Sequence, residues 1–326
     1  MEAALIGVVL DADVVEPELV RQLGELQRPR GVRLRRQEIA KPKGPPVVAH
    51  LLDQGKFAVR VLIPDGHVHT QWSWDAPRGD MEESCRQALA VGLPSIAFTD
   101  HADFTEYVRA RDGLLDIRGY LDCLERCRTA FPGLRILSGV ELGEPHRYSA
   151  EAAAILAAGP LDRVLGSVHC LPWQGQLVDA STPGLLTPEH AAHQFRSYLR
   201  ETESLLESSQ PFEVLAHLDY PKRYWPVGVP YAPADFEEEL RGVLRAAARR
   251  GSVLEVNSTR GGDPARYLVP GPEILLWWRQ EGGRAVSFGS DAHDPSKIAT
   301  GFEVAAQAVE AAGFRPQDDP AGFWLR

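Results

Sequence analysis

The chain has 326 residues, a formal net charge of -10 and a hydrophobic fraction of 44%. This length suffices for one large barrel or two ordinary domains, and the apolar fraction is typical of a globular protein with a sizeable core. The acidic balance argues against a surface that grips long nucleic acids, although bound cations can reverse the local sign and admit a small phosphorylated substrate.

Cysteine usage indicates a reducing compartment, and hydropathy argues against a membrane-spanning segment. No second cysteine pair completes a zinc site, so we expect buried free thiols in a reducing environment. The apolar run at 3–10 lacks a basic leader and a cleavage site, which is not the pattern of a signal peptide. No stretch approaches the ~20 apolar residues that span a bilayer. We therefore predict a cytoplasmic protein. The cysteines are Cys85, Cys123, Cys127 and Cys170.

The composition changes near residue 56. Residues 28–43 are rich in arginine and lysine, and residues 41–46 have the proline and glycine content of a linker. A weak strand at 5–10 and a weak helix at 17–26 precede them. We predict an N-terminal extension of uncertain structure at 1–56 and a single catalytic domain at 57–326.

Strands and helices alternate from residue 57 to the end. Seven apolar runs, each followed by a helix or a long loop, predict repeated βα units and a parallel sheet. The helix after Asp80 opens with a capping box, and Thr187 and Pro188 have the residue types of an N-cap and a first helical position. The runs lie at 61–63, 96–98, 136–137, 164–165, 214–215, 253–254 and 285–288. Helices are predicted near 81–90, 117–130, 150–158, 187–207, 234–249, 272–280 and 295–312.

Each apolar run leads into residues of metal-binding type. Ligands at the same end of successive parallel strands spread along a line in an open sheet but converge at one mouth in a closed barrel. We therefore favour a barrel, and a multi-histidine metal centre at its mouth. Six of the ten histidines take part, whereas His190 and His193 are interpreted as surface residues. The residues that follow the runs are His67 and His69, Asp100 and His101, Glu141, His169, His217, Glu255 and Asn257, and Asp291 and His293.

The kind and number of these ligands indicate the chemistry. Imidazole with carboxylate suits zinc, manganese or iron rather than calcium. The set exceeds the three or four protein ligands of one catalytic zinc, so two or three divalent ions are expected. Such ions can lower the pKa of a shared water and hold a phosphoryl oxygen.

At this point the chain resembles a known family. The run from Asp65 to Arg326, about four-fifths of the chain, resembles the polymerase-and-histidinol-phosphatase (PHP) superfamily, and most of all its histidinol-phosphate phosphatase branch. The matching segments are Asp65-Gly66-His67-Val68-His69, Phe98-Thr99-Asp100-His101, Gly139-Val140-Glu141, Leu165-Gly166-Ser167-Val168-His169, Ala216-His217-Leu218-Asp219, Leu254-Glu255-Val256-Asn257 and Gly289-Ser290-Asp291-Ala292-His293.

The resemblance implies an α/β fold, a distorted seven-stranded, TIM-like (β/α) barrel, and nine ligands around three metals. Asp75 stands where some members carry histidine, which leaves the ligand count intact. Glu141, Asp291, His293 and Asp100 would also be catalytic. The first metal would be held by His67, His69, Glu141 and Asp291, the second by Glu141, His169 and His217, and the third by Asp75, His101 and His293.

The implied reaction is phosphomonoester hydrolysis in histidine biosynthesis, by in-line attack of a metal-bridging hydroxide on phosphorus. Asp100 and Asp219 are expected to orient ligand imidazoles. Asp103 or Glu106 would meet a substrate ammonium. Basic phosphate contacts are predicted at Arg223, Arg260 and Lys222, and aromatic stacking on an imidazole at Trp72, Trp74, Tyr107 and Trp173.

Three other functions remain open. A related barrel could act on nucleotides or other small phosphate esters, with a small phosphorylated metabolite as partner in either case. An amidohydrolase barrel also opens with His-x-His but typically has a lysine at the fourth strand, where this chain has His169. An inert PHP module would have lost ligands, whereas this set is whole. Oligomeric state is not predicted.

Overall fold

A computed structural model of the chain describes residues 49–53, 58–258 and 267–326. These residues belong to one compact unit, Pro45–Arg326. The strand predicted at 5–10, the helix predicted at 17–26 and Arg260 lie outside the described residues. No described helix is both long and apolar enough to cross a membrane.

Most strands belong to one sheet in which neighbouring strands run parallel, except at one edge, where the last two strands in the chain are antiparallel. The nine strands are β3 (Asp65–Val68), β4 (Ser95–Phe98), β5 (His101–Ala102), β6 (Arg135–Gly143), β7 (Arg163–Ser167), β10 (Val214–Leu215), β11 (Val253–Asn257), β12 (Ala285–Gly289) and β13 (Trp324–Leu325). The strand order is β13-β12-β11-β10-β7-β6-β4-β3, and the short strand β5 also pairs with β6.

Two further strand pairs are antiparallel hairpins. β1 (Ala49–Asp53) pairs with β2 (Ala58–Leu62), so the domain boundary predicted at residue 56 falls between two paired strands. β8 (Cys170–Trp173) pairs with β9 (Gln176–Asp179) and directly follows the predicted ligand His169.

The main sheet is curled, and backbone hydrogen bonds join its first strand to the segment that follows β12. The amide of Asp291 donates to His67 O at 2.8 Å, and the amide of His69 donates to Ala292 O at 2.9 Å. The predicted mixed α/β class is confirmed. The predicted count of seven strands is not confirmed, because the hydrogen-bonded sheet of the described residues includes the two-residue β5 and the antiparallel β13.

The first predicted strand differs from the observed one. The apolar run 61–63 belongs in part to β2, which pairs with β1, while the first strand of the main sheet begins at Asp65. This strand contains His67, the first residue of the His-x-His motif, and His69 directly follows its last residue. Polar side chains are accommodated there because they face a buried polar site instead of the hydrophobic core.

The first helix begins at its predicted cap. Asp80 caps the first helix by accepting a hydrogen bond from the Glu83 amide at 2.7 Å, as the capping box predicts. The α-helices are α1 (Met81–Val91), α2 (Glu106–Arg109), α3 (Ile117–Ala130), α4 (Ser149–Leu156), α5 (Ala191–Glu207), α6 (Glu237–Arg250), α7 (Pro272–Gln280) and α8 (Phe302–Ala311).

Three predicted helix starts are wrong by several residues. The helix predicted from 187 begins at Ala191, after a turn in which His190 N donates to Thr187 O. The helix predicted from 234 begins as a 3-10 turn and becomes α-helical at Glu237. The helix predicted from 295 is broken, because Ala299 (φ 59°) and Gly301 (φ 78°) have left-handed backbone. The helix α8 begins only after these residues.

All four cysteines are buried and free. Burial raises the pKa of the Cys127 thiol to about 11, and it also raises the thiol pKa values of Cys85 and Cys170. Their thiols therefore stay protonated and packed in the core at neutral pH.

Candidate metal centre

The nine predicted ligands lie in or just after strands of the main sheet. His67 is within β3, His101 within β5 and Glu141 within β6. His169 follows β7 by two residues and His217 follows β10 by two, while Asp291 and His293 follow β12, and Asp75 lies in the loop after β3. Because parallel strands place their carboxyl ends on one side, these side chains meet at a single location.

Glu141 is the centre of the cluster and is fully buried. Both of its carboxylate oxygens are surrounded by imidazole nitrogens, which gives it the position of a bridging ligand. Its Oε1 lies 2.7 Å from His217 Nε2 and 3.1 Å from His169 Nε2, and its Oε2 lies 3.1 Å from His101 Nδ1, 3.2 Å from His67 Nε2 and 3.4 Å from His69 Nε2.

A first group of donors surrounds the His-x-His motif. His67 Nε2 and His69 Nε2 are 2.9 Å apart, and His69 Nε2 is 3.2 Å from Asp291 Oδ1. Two imidazole nitrogens this close have lone pairs that repel unless a proton or a cation lies between them. The spacing therefore fits residues that share a metal ion.

The remaining donors form two further groups. His169 Nε2 is 3.3 Å from His217 Nε2, and both nitrogens face Glu141. His293 Nε2 is 3.2 Å from Asp75 Oδ2, and His101 Nε2 is 3.6 Å from the same oxygen. These neighbours are residues that the sequence resemblance assigned to a second and a third ligand set.

The donor chemistry fits divalent cations. Within the described residues, ligand atoms less than 4.8 Å apart occur in three overlapping groups that all belong to this cluster. The buried Asp75 Oδ1 has no hydrogen-bond partner among these residues, as expected of a carboxylate oxygen that binds a cation. The groups are His67, His69 and Glu141; His69, His101 and His293; and His101, Glu141 and His169.

Outer side chains hold several imidazoles by their far ring nitrogens. His67 Nδ1 contacts Glu255 Oε1 at 2.6 Å. His69 Nδ1 contacts Ser73 Oγ at 2.9 Å, and that hydroxyl donates to Asp100 Oδ1 at 2.8 Å. Asp100 thus acts on His69 through Ser73 rather than on its neighbour His101.

Asp103 has a different environment from the one predicted. Its two oxygens lie 3.4 Å from His169 Nδ1 and 3.5 Å from His101 Nδ1, and Trp74 Nε1 donates to it at 3.0 Å. It is 5% exposed, so its main contacts are with two predicted ligands. Asp219, predicted to orient an imidazole, instead accepts from Lys222 at 2.8 Å.

Burial and the neighbouring charges together set the pKa values of the cluster. Burial alone would raise the pKa of Glu141, but the imidazoles of His67, His169 and His101 lower it well below its usual value. Burial together with the positive charge of neighbouring imidazoles lowers the pKa of His69. A carboxylate that stays ionised and an imidazole that stays neutral are the protonation states in which both groups bind metals.

Three residues of the site have left-handed backbone. They are Glu144 (φ 45°), His217 (φ 22°) and Asp291 (φ 53°), none of which is glycine. Such conformations cost on the order of 1–3 kcal/mol each and persist only where surrounding contacts enforce them. The surrounding packing therefore fixes the directions of these side chains.

Glu144 was not identified from the sequence. Its Oε1 accepts hydrogen bonds from the amides of His169 at 2.5 Å and Cys170 at 2.7 Å, which fixes the backbone at that predicted ligand. Burial raises the pKa of Glu144 to about 7. Its position directly after β6, three residues beyond Glu141, is a weak sequence signal, because carboxylates at strand ends are candidate site residues.

A cavity of about 350 Å³ opens onto the cluster. It is lined by the predicted ligands Asp75, His101, His169, His217, Asp291 and His293, together with Trp74, Asp103, Tyr107, Asp179, Ser181, Tyr220, Arg223 and Tyr224.

The predicted substrate contacts divide into two classes. Arg223 lines the cavity, where Nη1 contacts Asp291 Oδ2 at 2.9 Å and Nη2 donates to Asn257 Oδ1 at 2.7 Å. In the part of the chain that the structure describes, Lys222 and Trp173 do not line this cavity. The ammonium of Lys222 is buried against Asp219 and Leu268 O, so the geometry does not support its predicted role.

The aromatic predictions divide in the same way. Trp74 and Tyr107 line the cavity and contact each other edge to face at a centroid distance of 5.6 Å. Trp72 packs on the hydrophobic core instead, and Trp173 lies 5.5 Å from the His190 ring. The carboxylate predicted at Glu106 belongs to α2 and, unlike Asp103, does not contribute to this cavity lining.

Comparison with known proteins agrees with this arrangement. The family model described as PHP domain matches residues 65–259. The chain belongs to the PHP domain family. The match begins at β3 and extends through β11, so it includes seven of the nine predicted ligands and ends before Asp291 and His293.

Curated relatives of this PHP domain chain are named histidinol-phosphatases. The protein from Lactococcus lactis subsp. lactis is 28% identical over 255 residues, covering 77% of this chain and 91% of its own length. The protein from Bacillus subtilis is 26% identical over 267 residues, covering 74% of this chain and 97% of its own length.

A solved structure shares the fold. The Lactococcus lactis histidinol phosphate phosphatase, crystallised with zinc, L-histidinol and phosphate, superposes with a TM-score of 0.68 at 24% identity. The alignment covers 78% of this chain and 94% of that one. The likeness supports the α/β fold of the PHP domain described above.

Proposed function

We propose that this chain is a metal-dependent phosphomonoester hydrolase of the histidinol-phosphate phosphatase type. The observation that carries the proposal is the convergence of six imidazoles and three carboxylates in one cluster, six of whose members line a cavity that Arg223 also lines. The names of the curated relatives point to the same reaction.

We infer that the cluster holds two or three divalent ions, of zinc, manganese or iron. When bound, such ions polarise the phosphoryl oxygens and offset the negative charge that develops on them. The first ion would be held by His67, His69, Glu141 and Asp291, the second by Glu141, His169 and His217, and the third by Asp75, His101 and His293.

Arg223 would bind and orient the phosphate. Its guanidinium is 10% exposed, and its contacts with Asp291 and Asn257 hold it in one orientation. The Tyr220 ring lies 5.2 Å from its charged carbon and packs along it. A fixed planar cation beside the metal ligands would align a phosphate group for in-line displacement without reorganisation of the site.

The rest of the cavity would bind the organic part of the substrate. Tyr220 and Tyr224 supply ring surfaces on which an imidazole could stack, and Asp179 supplies a carboxylate for an ammonium group. A cavity of about 350 Å³ is of the size that encloses a small metabolite.

The architecture and surroundings follow from the same proposal. We infer that the curled sheet is the distorted seven-stranded barrel of this family, formed by β3, β4, β6, β7, β10, β11 and β12. Residues 57–326 would be the catalytic domain, with residues 1–56 as an extension. The cytoplasm, and a small metabolite rather than long nucleic acid or a membrane as partner, remain our expectations.

Phosphate release from a panel of phosphomonoesters, measured at defined zinc, manganese or iron loading, tests the function. We expect histidinol phosphate to have the highest kcat/KM. A nucleotide bisphosphate as the best substrate would instead favour the alternative PHP-type phosphoesterase. No metal-dependent turnover of any ester would refute the proposal.

The phosphate contact is tested with Arg223→Ala, for which we expect KM to rise and kcat to fall, together at least tenfold in kcat/KM. Arg241→Ala is the matched control, because Arg241 forms its ion pairs with Glu237 in α6 and with Glu281, the residue after α7. Equal kinetics for the two variants would remove Arg223 from the phosphate site.

A further inference from the structure

Glu255 connects two ligand-bearing strands although it is not one of the predicted ligands. It lies in β11 and is 1% exposed. Its Oε1 is 2.6 Å from His67 Nδ1, and its Oε2 accepts a hydrogen bond from the backbone amide of His217 at 2.8 Å. A single carboxylate thus contacts a residue of β3 and a residue after β10.

The contact with His67 determines how that imidazole can bind a cation. An ionised carboxylate only accepts hydrogen bonds, so His67 Nδ1 must carry the proton that it donates to Glu255. In the neutral ring, Nε2 is then the atom with the free lone pair, and it points at His69 Nε2 and Glu141 Oε2. Glu255 therefore selects the tautomer that can bind a metal.

The contact with His217 holds a strained backbone in place. His217 has a φ of 22°, which a residue with a side chain rarely adopts. The hydrogen bond from its amide to Glu255 is buried and charge-assisted, and such bonds are stronger than those between neutral groups. It helps to keep the imidazole of His217 directed at Glu141.

The packing around the carboxylate leaves room for it and for little else. Gly289, at the end of β12, adjoins it, and a Cβ at that position would lie 2.2 Å from Glu255 Oε1. The same Cβ would lie 2.6 Å from His67 Cβ. The carboxylate thus occupies space that a side chain at position 289 would need.

We propose that Glu255 is a positioning residue that sets the tautomer of His67 and the orientation of His217, and thereby the metal affinity of the cluster. This inference rests on the metal centre of the proposed function. It does not require that the substrate be histidinol phosphate.

The decisive variant is Glu255→Gln, which keeps the shape but replaces one acceptor by a donor. A glutamine cannot accept from both His67 and His217. If the NH2 of the glutamine faces His67, the ring must carry its proton on Nε2 instead. If the NH2 faces His217, it lies opposite the backbone N–H of that residue, and neither hydrogen-bond donor has an acceptor. We expect zinc affinity to fall 10- to 100-fold, as is typical when such an outer contact is lost.

Two measurements on the full-length protein separate positioning from a merely structural role. The first is competition for zinc against a chelator of known affinity. The second is the ¹⁵N chemical shift of the His67 ring nitrogens with zinc bound, in which we expect the proton on Nδ1 in the wild type and a reduced share of that tautomer in Glu255→Gln. Wild-type zinc affinity and an unchanged His67 tautomer in the variant would overturn the proposal.

Glu201→Gln is the matched control. Glu201 is 7% exposed and also pairs with an imidazole, His146 Nε2 at 2.5 Å, but it is not among the residues that line the cavity. We expect this variant to lose stability yet keep wild-type zinc affinity. An equal loss of affinity in both variants would mean that any buried carboxylate has this effect, and would also overturn the proposal.

Should Glu255→Gln fail to fold, Glu255→Asp is measured with the same two readouts. It keeps the charge but is one methylene group shorter, so it cannot reach both partners, and wild-type affinity would again contradict the inference. Failure of the proposed function is distinguishable, because it would appear in the wild type as zinc binding without hydrolysis of any phosphomonoester.

Discussion

Adding one methyl group at Gly289 should disturb the metal cluster although it removes no predicted ligand. In Gly289→Ala the new Cβ would lie 2.2 Å from Glu255 Oε1, whereas ordinary contacts are 3.4 Å or longer. The oxygen would have to retreat by about 1 Å to reach the edge of an acceptable contact. Its 2.6 Å contact with His67 Nδ1 would then lengthen beyond the range of a hydrogen bond.

The expected size of the effect follows from these distances. Overpacking of this kind costs about 1–3 kcal/mol in the free energy of unfolding, which corresponds to a fall of roughly 2–10 °C in the melting temperature of a domain of this size. Loss of the Glu255 contact should also reduce zinc affinity by about 10- to 100-fold. Because no ligand is removed, the variant should still bind zinc at high concentration.

Gly242→Ala provides the matched control. Gly242 lies within α6, and a Cβ there would meet no atom within 4 Å. Alanine in a helix is favoured over glycine by about 1 kcal/mol, so this variant should melt at or above the wild-type temperature with unchanged zinc affinity. Thermal unfolding by circular dichroism and chelator competition measure both effects. Wild-type stability and affinity in Gly289→Ala would refute the packing described around Glu255.

Three further outcomes are expected. Glu141→Gln removes the one charge that five imidazoles share, so at least two ions per chain should be lost. The kcat/KM should fall by at least ~10³-fold. Full metal content by elemental analysis would contradict a bridging role. Burial would raise the pKa of Glu201, but its hydrogen bonds with His146 and Arg147 lower it to about 2. Its stabilising effect is therefore present above its unfolded pKa and is lost as the pH falls toward about 2. The gap between wild type and Glu201→Gln in urea unfolding, on the order of 2 kcal/mol at neutral pH, should accordingly shrink between about pH 5 and 3, and a constant gap would speak against the assignment. Chelation should abolish hydrolysis and lower the melting temperature, because ions that bind only the native state stabilise it, and zinc should restore both.

The sequence predicted well which side chains would lie close together, because their convergence depends on strand periodicity. Apolar runs mark the strands, and a polar residue at the end of a buried strand has few positions other than the common edge of the sheet. Glu141 and His169 illustrate this, since both lie where the pattern predicted and meet at 3.1 Å.

The surrounding shell was less predictable, because loop side chains take directions that no short-range pattern determines. Asp103 and Lys222 both follow predicted ligands by a few residues and were expected to face the substrate. Asp103 does line the cavity, but its carboxylate also lies beside His101 and His169, whereas Lys222 lies on Asp219 and does not line the cavity. A buried charge must be paired, and the nearest opposite charge in three dimensions decided both positions.

One helix start was misplaced because the backbone leaves the helical region before α8. Ala299 has a φ of 59°, so the segment beginning at Pro295 makes only a short turn before α8. Alanine is a strong helix former, so its local preference predicted a continuous helix. The amide of Ala299 donates to the buried carboxylate of Asp65 at 3.1 Å, a tertiary contact that the local sequence does not encode.

The hydrogen bond from the Asp291 amide to His67 O joins two residues that are 224 positions apart in the chain, 291 minus 67. During synthesis the first half of the ligand set leaves the ribosome long before the last strand exists. Contacts of such long range are slow to form and require nearly the entire polypeptide. Metal uptake by this protein is therefore expected after translation has finished, when cellular metal availability rather than the order of synthesis decides which ion is acquired.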